Sequence, residues 1–205
     1  MSDFSNITRV PTPFDRELGQ DALSLLPGLP AEQSELILGA AGCSPYLKGL
    51  IAKEADWLNA ALDGPDAAVQ ALFDELKDIP SKSLPSALRQ AKRRIALITG
   101  LADLGGVWAL EKVTLVLSDF ADLAVNCALR STVGAEIARG KLPGMSEDNI
   151  ADAGGMSVLA MGKMGAFELN YSSDIDLICL FDETRFSPDA YHDARSSFIR
   201  ATRRM

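Results

Sequence analysis

Between residues 31 and about 141 the apolar positions recur every three or four residues, the spacing of an amphipathic helix. Ser44-Pro45 opens the first long helix, a capping hydroxyl followed by a proline at the first helical position. It continues through Leu47, Leu50, Ile51, Leu58 and Leu62 and stops at Asp63-Gly64-Pro65. A second helix covers roughly 66–77 and ends before Pro80. The third begins near Pro85, places Leu88, Ala91, Ile95, Ile98 and Ala102 on one face, and breaks at Gly105-Gly106. The fourth and longest runs from about 107 to 139, with Leu110, Val113, Leu117, Phe120, Ala124 and Cys127 as its core stripe. Residues 1–30, punctuated by Pro11, Pro13, Pro27 and Pro30, are expected to form a loose arm with one short helix.

The periodicity changes after Lys141-Leu142-Pro143-Gly144. Residues 156–161 read as a short buried strand and 175–181 as a second, with a turn at 182–187. From Pro188 a helix is expected with Tyr191, Ala194, Phe198 and Ile199 inward. The pattern predicts an α+β chain: a loose arm at 1–30, a helical region at 31–142, and a mixed strand-and-helix unit at 143–205.

Composition narrows the function classes. With 205 residues, 47% of them hydrophobic and 23% charged, the chain can bury a core. A net charge of −8 argues against generic nucleic-acid binding, which needs a basic surface. No apolar run approaches the ~18 residues of a membrane helix, and the first residues lack a signal peptide's basic start and apolar stretch. The expectation is a cytoplasmic protein without nucleic-acid or membrane partners. Cys43, Cys127 and Cys179 lie far apart in apolar patterns and are expected to be reduced core thiols.

The chemistry is concentrated in one segment. Met161-Gly162-Lys163-Met164-Gly165-Ala166-Phe167-Glu168-Leu169-Asn170-Tyr171-Ser172-Ser173 leads into Asp174-Ile175-Asp176 and the apolar Leu177-Ile178-Cys179-Leu180-Phe181. Placed on a strand, Asp174 and Asp176 share a face, about 7 Å apart along the backbone. Two carboxylates so placed can share a divalent cation or bridge two. Neither a G-x-G-x-x-G fingerprint nor a G-x-x-x-x-G-K-[ST] loop is present, because Met164 follows Lys163.

A strand, a glycine loop, one helical turn and a strand bearing Asp-x-Asp resemble the nucleotidyltransferase superfamily that includes DNA polymerase β. The longer match, Gly162-Lys163-Met164-Gly165, Glu168-Leu169-Asn170 and Ser172-Ser173-Asp174-Ile175-Asp176-Leu177, resembles the signature of the glutamine synthetase adenylyltransferases. Ser44-Pro45-Tyr46-Leu47 and the helix over 87–104 are similar to the segment that precedes it there. Those enzymes carry two such domains. Asn170 after Glu168-Leu169, and the place behind an N-terminal helical region, resemble the N-terminal, adenylyl-removing one.

The resemblance implies the start of a polymerase β-like domain with a mixed sheet and helices. It also implies Mg²⁺ on Asp174 and Asp176, a nucleotide (ADP, ATP or the adenylyl group) near Gly162, Lys163, Gly165 and Ser173, and phosphorolysis of an adenylyl-tyrosine. The implied partners are glutamine synthetase, inorganic phosphate and the PII signalling protein. Ala166 stands where the family usually has glycine, and a helical turn tolerates it. The family's third metal carboxylate lies on a strand after the helix that begins at Pro188. The chain is therefore expected to be cut within its catalytic domain and to bind Mg²⁺–nucleotide weakly alone.

Blander readings stand beside these. Asp174 and Asp176 are either metal ligands or solvated turn residues, the glycines either phosphate-approach positions or a tight turn, and Lys163 either a phosphate contact or a solvated cation. Glu168 is expected to brace the loop, Ser172 and Ser173 to satisfy backbone groups, His192 to lie on the surface, and Trp57 and Trp108 in the core. Arg89, Lys92, Arg93 and Arg94 form either a solvated face or a bracing or docking surface against acidic groups of the catalytic domain or of a partner. Two rival functions remain: the ATP-using adenylylating domain, and a helical docking module with an inactive site.

Overall fold

The computed structural model describes residues 4–205. Among them are eight α-helices and one two-stranded sheet, an α+β arrangement dominated by helix. The helices are α1 (Arg16–Leu23), α2 (Ala31–Cys43), α3 (Pro45–Ala61), α4 (Pro65–Lys77), α5 (Leu84–Leu104), α6 (Leu110–Ala138), α7 (Gly162–Gly165) and α8 (Pro188–Thr202). The strands are β1 (Met156–Ala160) and β2 (Leu177–Phe181).

The helix signals act as expected. The Ser44 side chain accepts from the Leu47 amide, and proline occupies the first turn of α3, α4, α5 and α8. Leu36, Ile37, Ile51, Leu58, Ile95, Ile98 and Leu101 are buried together, so α2, α3 and α5 enclose the main core with Val113 and Val116 of α6. Trp108 is buried and Trp57 packs at the core's edge. A second core gathers Leu129, Val133 and Ile137 of α6 with Met156 and with Ala194, Phe198 and Ala201 of α8. Phe181 stacks on Phe198 at 4.8 Å between ring centroids, which seats β2 on α8.

Two buried carboxylates tie helices together. Glu54 lies at a kink in α3, where its own backbone leaves helical geometry (φ −125°, ψ 21°). Its oxygens accept from Arg93 and Arg94 of α5, each at 2.8 Å, and the Arg94 guanidinium lies over the Trp57 ring. Half of the basic cluster is therefore a brace, as one of the two readings had it, but against a glutamate of the helical body itself rather than an acidic group of the catalytic domain or of a partner. Glu136, fully buried on α6, accepts from Arg139 and from Arg200 and Arg204 at the end of the chain.

Several expectations are corrected. Residues 4–15 lack regular structure yet are tied down: Phe4 is buried, and the Thr8 amide donates to the Gly105 carbonyl at 2.9 Å. Leu110 is exposed, because it occupies the first turn of α6 before that helix meets the core; the buried stripe begins at Val113. Cys43 is exposed at the end of α2, its thiol donating to the Thr12 carbonyl, while Cys127 and Cys179 are half-buried. The one sheet among the described residues is the antiparallel pair β1–β2. No helix there is long and apolar enough to cross a membrane.

Candidate functional site

Ala160 pairs with Leu177, so the last residue of β1 and the first of β2 meet at one end of the hairpin. From β1 the chain passes through Met161 into the single turn of α7; it returns to β2 through the irregular stretch 166–176. The Met161 amide donates to the Asp176 carbonyl at 2.9 Å, extending the ladder by one bond. The glycine turn and the aspartates, separate in sequence, are thereby joined.

Asp174 and Asp176 lie ahead of β2, not within it, which corrects their expected place on the strand. Exposure alternates along β2, with Ile178 and Leu180 outward and Leu177, Cys179 and Phe181 inward. Carried back one step along the extended ladder, that alternation sets Asp176 on the outer face. Both aspartates are exposed. Hard anionic oxygens suit Mg²⁺, which is commonly held by one or two carboxylates with water and phosphate oxygens completing the shell. The pair therefore fits the ion in kind, although no group of three or more Asp, Glu, His or Cys able to hold a metal occurs among the described residues.

The two glycines have different reasons. A Cβ on Gly165 would lie 2.4 Å from the Ala160 carbonyl oxygen, so only glycine lets α7 fold back so closely over β1. Gly162 has φ +57° with open space around it, so its need is conformational. Ala166 closes the turn in right-handed geometry, as alanine can. Phe167 holds φ +58°, unusual for an aromatic residue. Lys163 is exposed on α7. Glu168 braces the loop through its backbone, whose amide donates to the Lys163 carbonyl at 2.8 Å; its exposed side chain is not the brace. Ser173 donates to the Asn170 side-chain oxygen at 2.6 Å, and Ser172 offers its amide to the same oxygen, so both serve the turn. His192 is exposed on α8.

Residues 34–205 match the family profile described as glutamate-ammonia ligase adenylyltransferase. The chain belongs to this family. It is 40% identical over 184 residues to the bifunctional glutamine synthetase adenylyltransferase/adenylyl-removing enzyme of Bradyrhizobium sp. (strain BTAi1), covering 87% of this chain and 18% of the relative. The Caulobacter vibrioides protein of the same name is 36% identical over 162 residues, 77% of this chain and 16% of its own. That of Rhodopseudomonas palustris (strain TIE-1) is 35% identical over 190 residues, 89% and 19%. The chain thus spans under a fifth of the length of these relatives. No solved structure matches it.

In this adenylyltransferase-family chain, the helical body grips the aspartate loop through residues the sequence did not single out. The Leu169 amide donates to Ser118 Oγ of α6 at 3.2 Å, and the Leu169 side chain is buried with Ala121 and Met164. The Tyr171 hydroxyl lies 3.2 Å from Asp103 Oδ2 and 3.3 Å from the Thr99 carbonyl, both on α5. Burial, with the Asp103 charge added, pushes the Tyr171 hydroxyl well above its ordinary pKa, so it stays protonated and donates. Tyr171 stood in view inside the motif, but nothing in the sequence pairs it with an aspartate 68 residues earlier.

Proposed function

We propose that this chain supplies the metal and nucleotide end of an adenylyl-removing nucleotidyltransferase domain acting on glutamine synthetase. The observation that carries the reading is the junction of Met161 with Asp176, which joins the glycine-bounded turn to the segment bearing two exposed carboxylates in a member of this family. In the reaction, inorganic phosphate attacks the α-phosphorus of the adenylyl-tyrosine; the P–O bond to tyrosine breaks, leaving ADP and the free phenol. Mg²⁺, when bound, neutralises phosphate charge and stabilises the departing oxygen. Asp174 and Asp176 hold the ion, and Gly162 and Gly165 let the turn fold back tightly on β1 where the nucleotide approaches. Lys163 offers an exposed cation to phosphate. Ser173 keeps the aspartate loop turned.

An acidic chain must concentrate positive charge where phosphates bind, which favours a metal-centred site over a basic groove. A polymerase β-like sheet adds strands beside the hairpin, and a third carboxylate comes with them. The PII protein belongs to the same reading as a regulator, and a reaction on a nitrogen-assimilation enzyme belongs in the cytoplasm.

Mn²⁺ titration followed by electron paramagnetic resonance, with and without ADP, tests the site. Asp174→Asn and Asp176→Asn are each expected to weaken Mn²⁺ binding at least roughly tenfold while leaving the melting temperature in place. ADP released from adenylylated glutamine synthetase on adding phosphate tests the direction of the reaction. Mn²⁺ affinity unchanged in both variants would remove the aspartates from the metal site.

A further inference from the structure

Residues 166–176 contain no helix or strand, yet they carry both aspartates of the proposed site. A stretch of this kind is ordinarily the part of a fold that opens most easily. Here it is fixed at its two ends. On the incoming side Leu169 is anchored by Ser118, and Tyr171 by Asp103 and the Thr99 carbonyl. On the outgoing side the Asp176 carbonyl is held by Met161. Only residues 172–175 lie between, and Asp174 is among them.

The inner anchors are built rather than incidental. Ser118 is fully buried and uses its hydroxyl twice, donating to the Thr114 carbonyl at 2.8 Å and accepting from Leu169. The Tyr171 hydroxyl has one proton and two acceptors, and the carboxylate is the stronger. Asp103 is itself steadied: its other oxygen lies 3.2 Å from the Arg9 guanidinium, which also reaches the Asp103 carbonyl. A chain of contacts therefore runs from the N-terminal arm through the end of α5 to the aspartate loop.

We infer that Tyr171 is a positioning residue: its bond to Asp103 anchors the loop on α5 and so fixes where Asp174 presents its carboxylate. Ser118 does the same from α6. Neither touches the ion. They lower the number of loop conformations among which a cation would otherwise have to select, so their loss weakens binding without removing a ligand. The inference rests on the metal site proposed above.

Tyr171→Phe deletes only the hydroxyl and keeps the ring, and Asp103→Asn weakens the acceptor. Mn²⁺ affinity of the 205-residue chain, read by electron paramagnetic resonance, is expected to fall roughly tenfold in Tyr171→Phe, the scale on which supports of metal ligands act, and by less in Asp103→Asn. Amide hydrogen exchange, which needs no metal, is expected to quicken at Ser172–Asp176 and stay unchanged in the middle of α5 and α6. Ser118→Ala is expected to act alike at Leu169. Wild-type binding that depends on Asp174, with Tyr171→Phe within about twofold of it and loop exchange unaltered, overturns the positioning role and leaves the site standing. Wild-type protein that binds no Mn²⁺ even at millimolar concentration, with or without ADP, overturns the site, and the positioning role with it.

Discussion

Gly165 sits so close to Ala160 that a Cβ on the glycine would lie 2.4 Å from the alanine's carbonyl oxygen. No rotation of a side chain relieves that contact, because both atoms belong to the backbone or are fixed to it. The turn after β1 is therefore closed by the absence of a side chain.

Gly165→Ala is expected to cost about 1–3 kcal/mol, the range for an added carbon that forces a backbone shift. Gly49→Ala is the contrasting control: it lies within α3 with open space at the Cβ position, and should stabilise by about 0.4–1 kcal/mol. Urea melts of the two variants beside wild type measure both, and equal midpoints for the two would contradict the close approach.

Glu136 accepts from three arginines at a fully buried position, and a neutral amide there loses the charge that holds them and leaves a buried N–H₂ facing donors. Glu136→Gln is expected to cost about 2–4 kcal/mol. Arg204 is half-exposed and can turn to water, so Arg204→Gln should cost less than about 1 kcal/mol. Chemical denaturation of the pair gives the comparison, and a larger loss in the arginine variant would show that Glu136 is not the centre of the cluster.

Acid should loosen the α3–α5 contact. Burial pushes the Glu54 carboxyl up, but the hydrogen bonds and charges of Arg94 and Arg93 outweigh it and hold the group below its ordinary 4.5. A carboxyl depressed in the folded state stabilises above its unfolded value; that stabilisation is lost as pH falls through the lower folded value. The gap in stability between wild type and Glu54→Gln is thus expected to be steady near neutrality and to shrink below about pH 4.5. Urea melts across that range record it; a gap that widens on acidification would reverse the assigned sign.

Thiol reactivity should follow exposure. Cys43 is exposed, whereas burial pushes the Cys127 thiol up and its sulfur faces the Leu76 carbonyl. Labelling with a disulfide reagent in the folded state, read by peptide mass, is expected to modify Cys43 first and Cys127 slowly. Faster modification of Cys127 would mean that α6 and the end of α4 separate readily.

Most of the helices were legible from local punctuation: Ser44-Pro45 and Pro188 mark starts that the structure keeps, and Asp63-Gly64-Pro65 and Gly105-Gly106 separate neighbouring helices, whereas α6, uncapped, starts three residues later than expected. The strands were legible as apolar runs, although the first is exposed on one face at Leu159 rather than buried, and the second begins two residues later than the pattern suggested, since Ile175 and Asp176 are not yet in the strand. Leu110 and Cys43 misled because periodicity says which residues share a face and not where a helix enters or leaves the core. The meeting of the glycine turn with the aspartates follows from pairing β1 with β2, and the motif's order along the chain anticipated it. The grip of Tyr171 on Asp103 and of Ser118 on Leu169 did not show, because such bonds depend on how α5 and α6 pass beneath the loop.

The 29 residues of α6 enter the first core at Val113, reach the aspartate loop at Ser118, and leave through the second core at Leu129, Val133 and Ile137. A helix has no slack in its phase. One residue inserted after Asn126 would rotate everything beyond it by about 100° and advance it by about 1.5 Å. Glu136 would then face away from Arg200, and the floor beneath the hairpin would turn with it. Point changes along α6 are local; its length sets the relative phase of both cores.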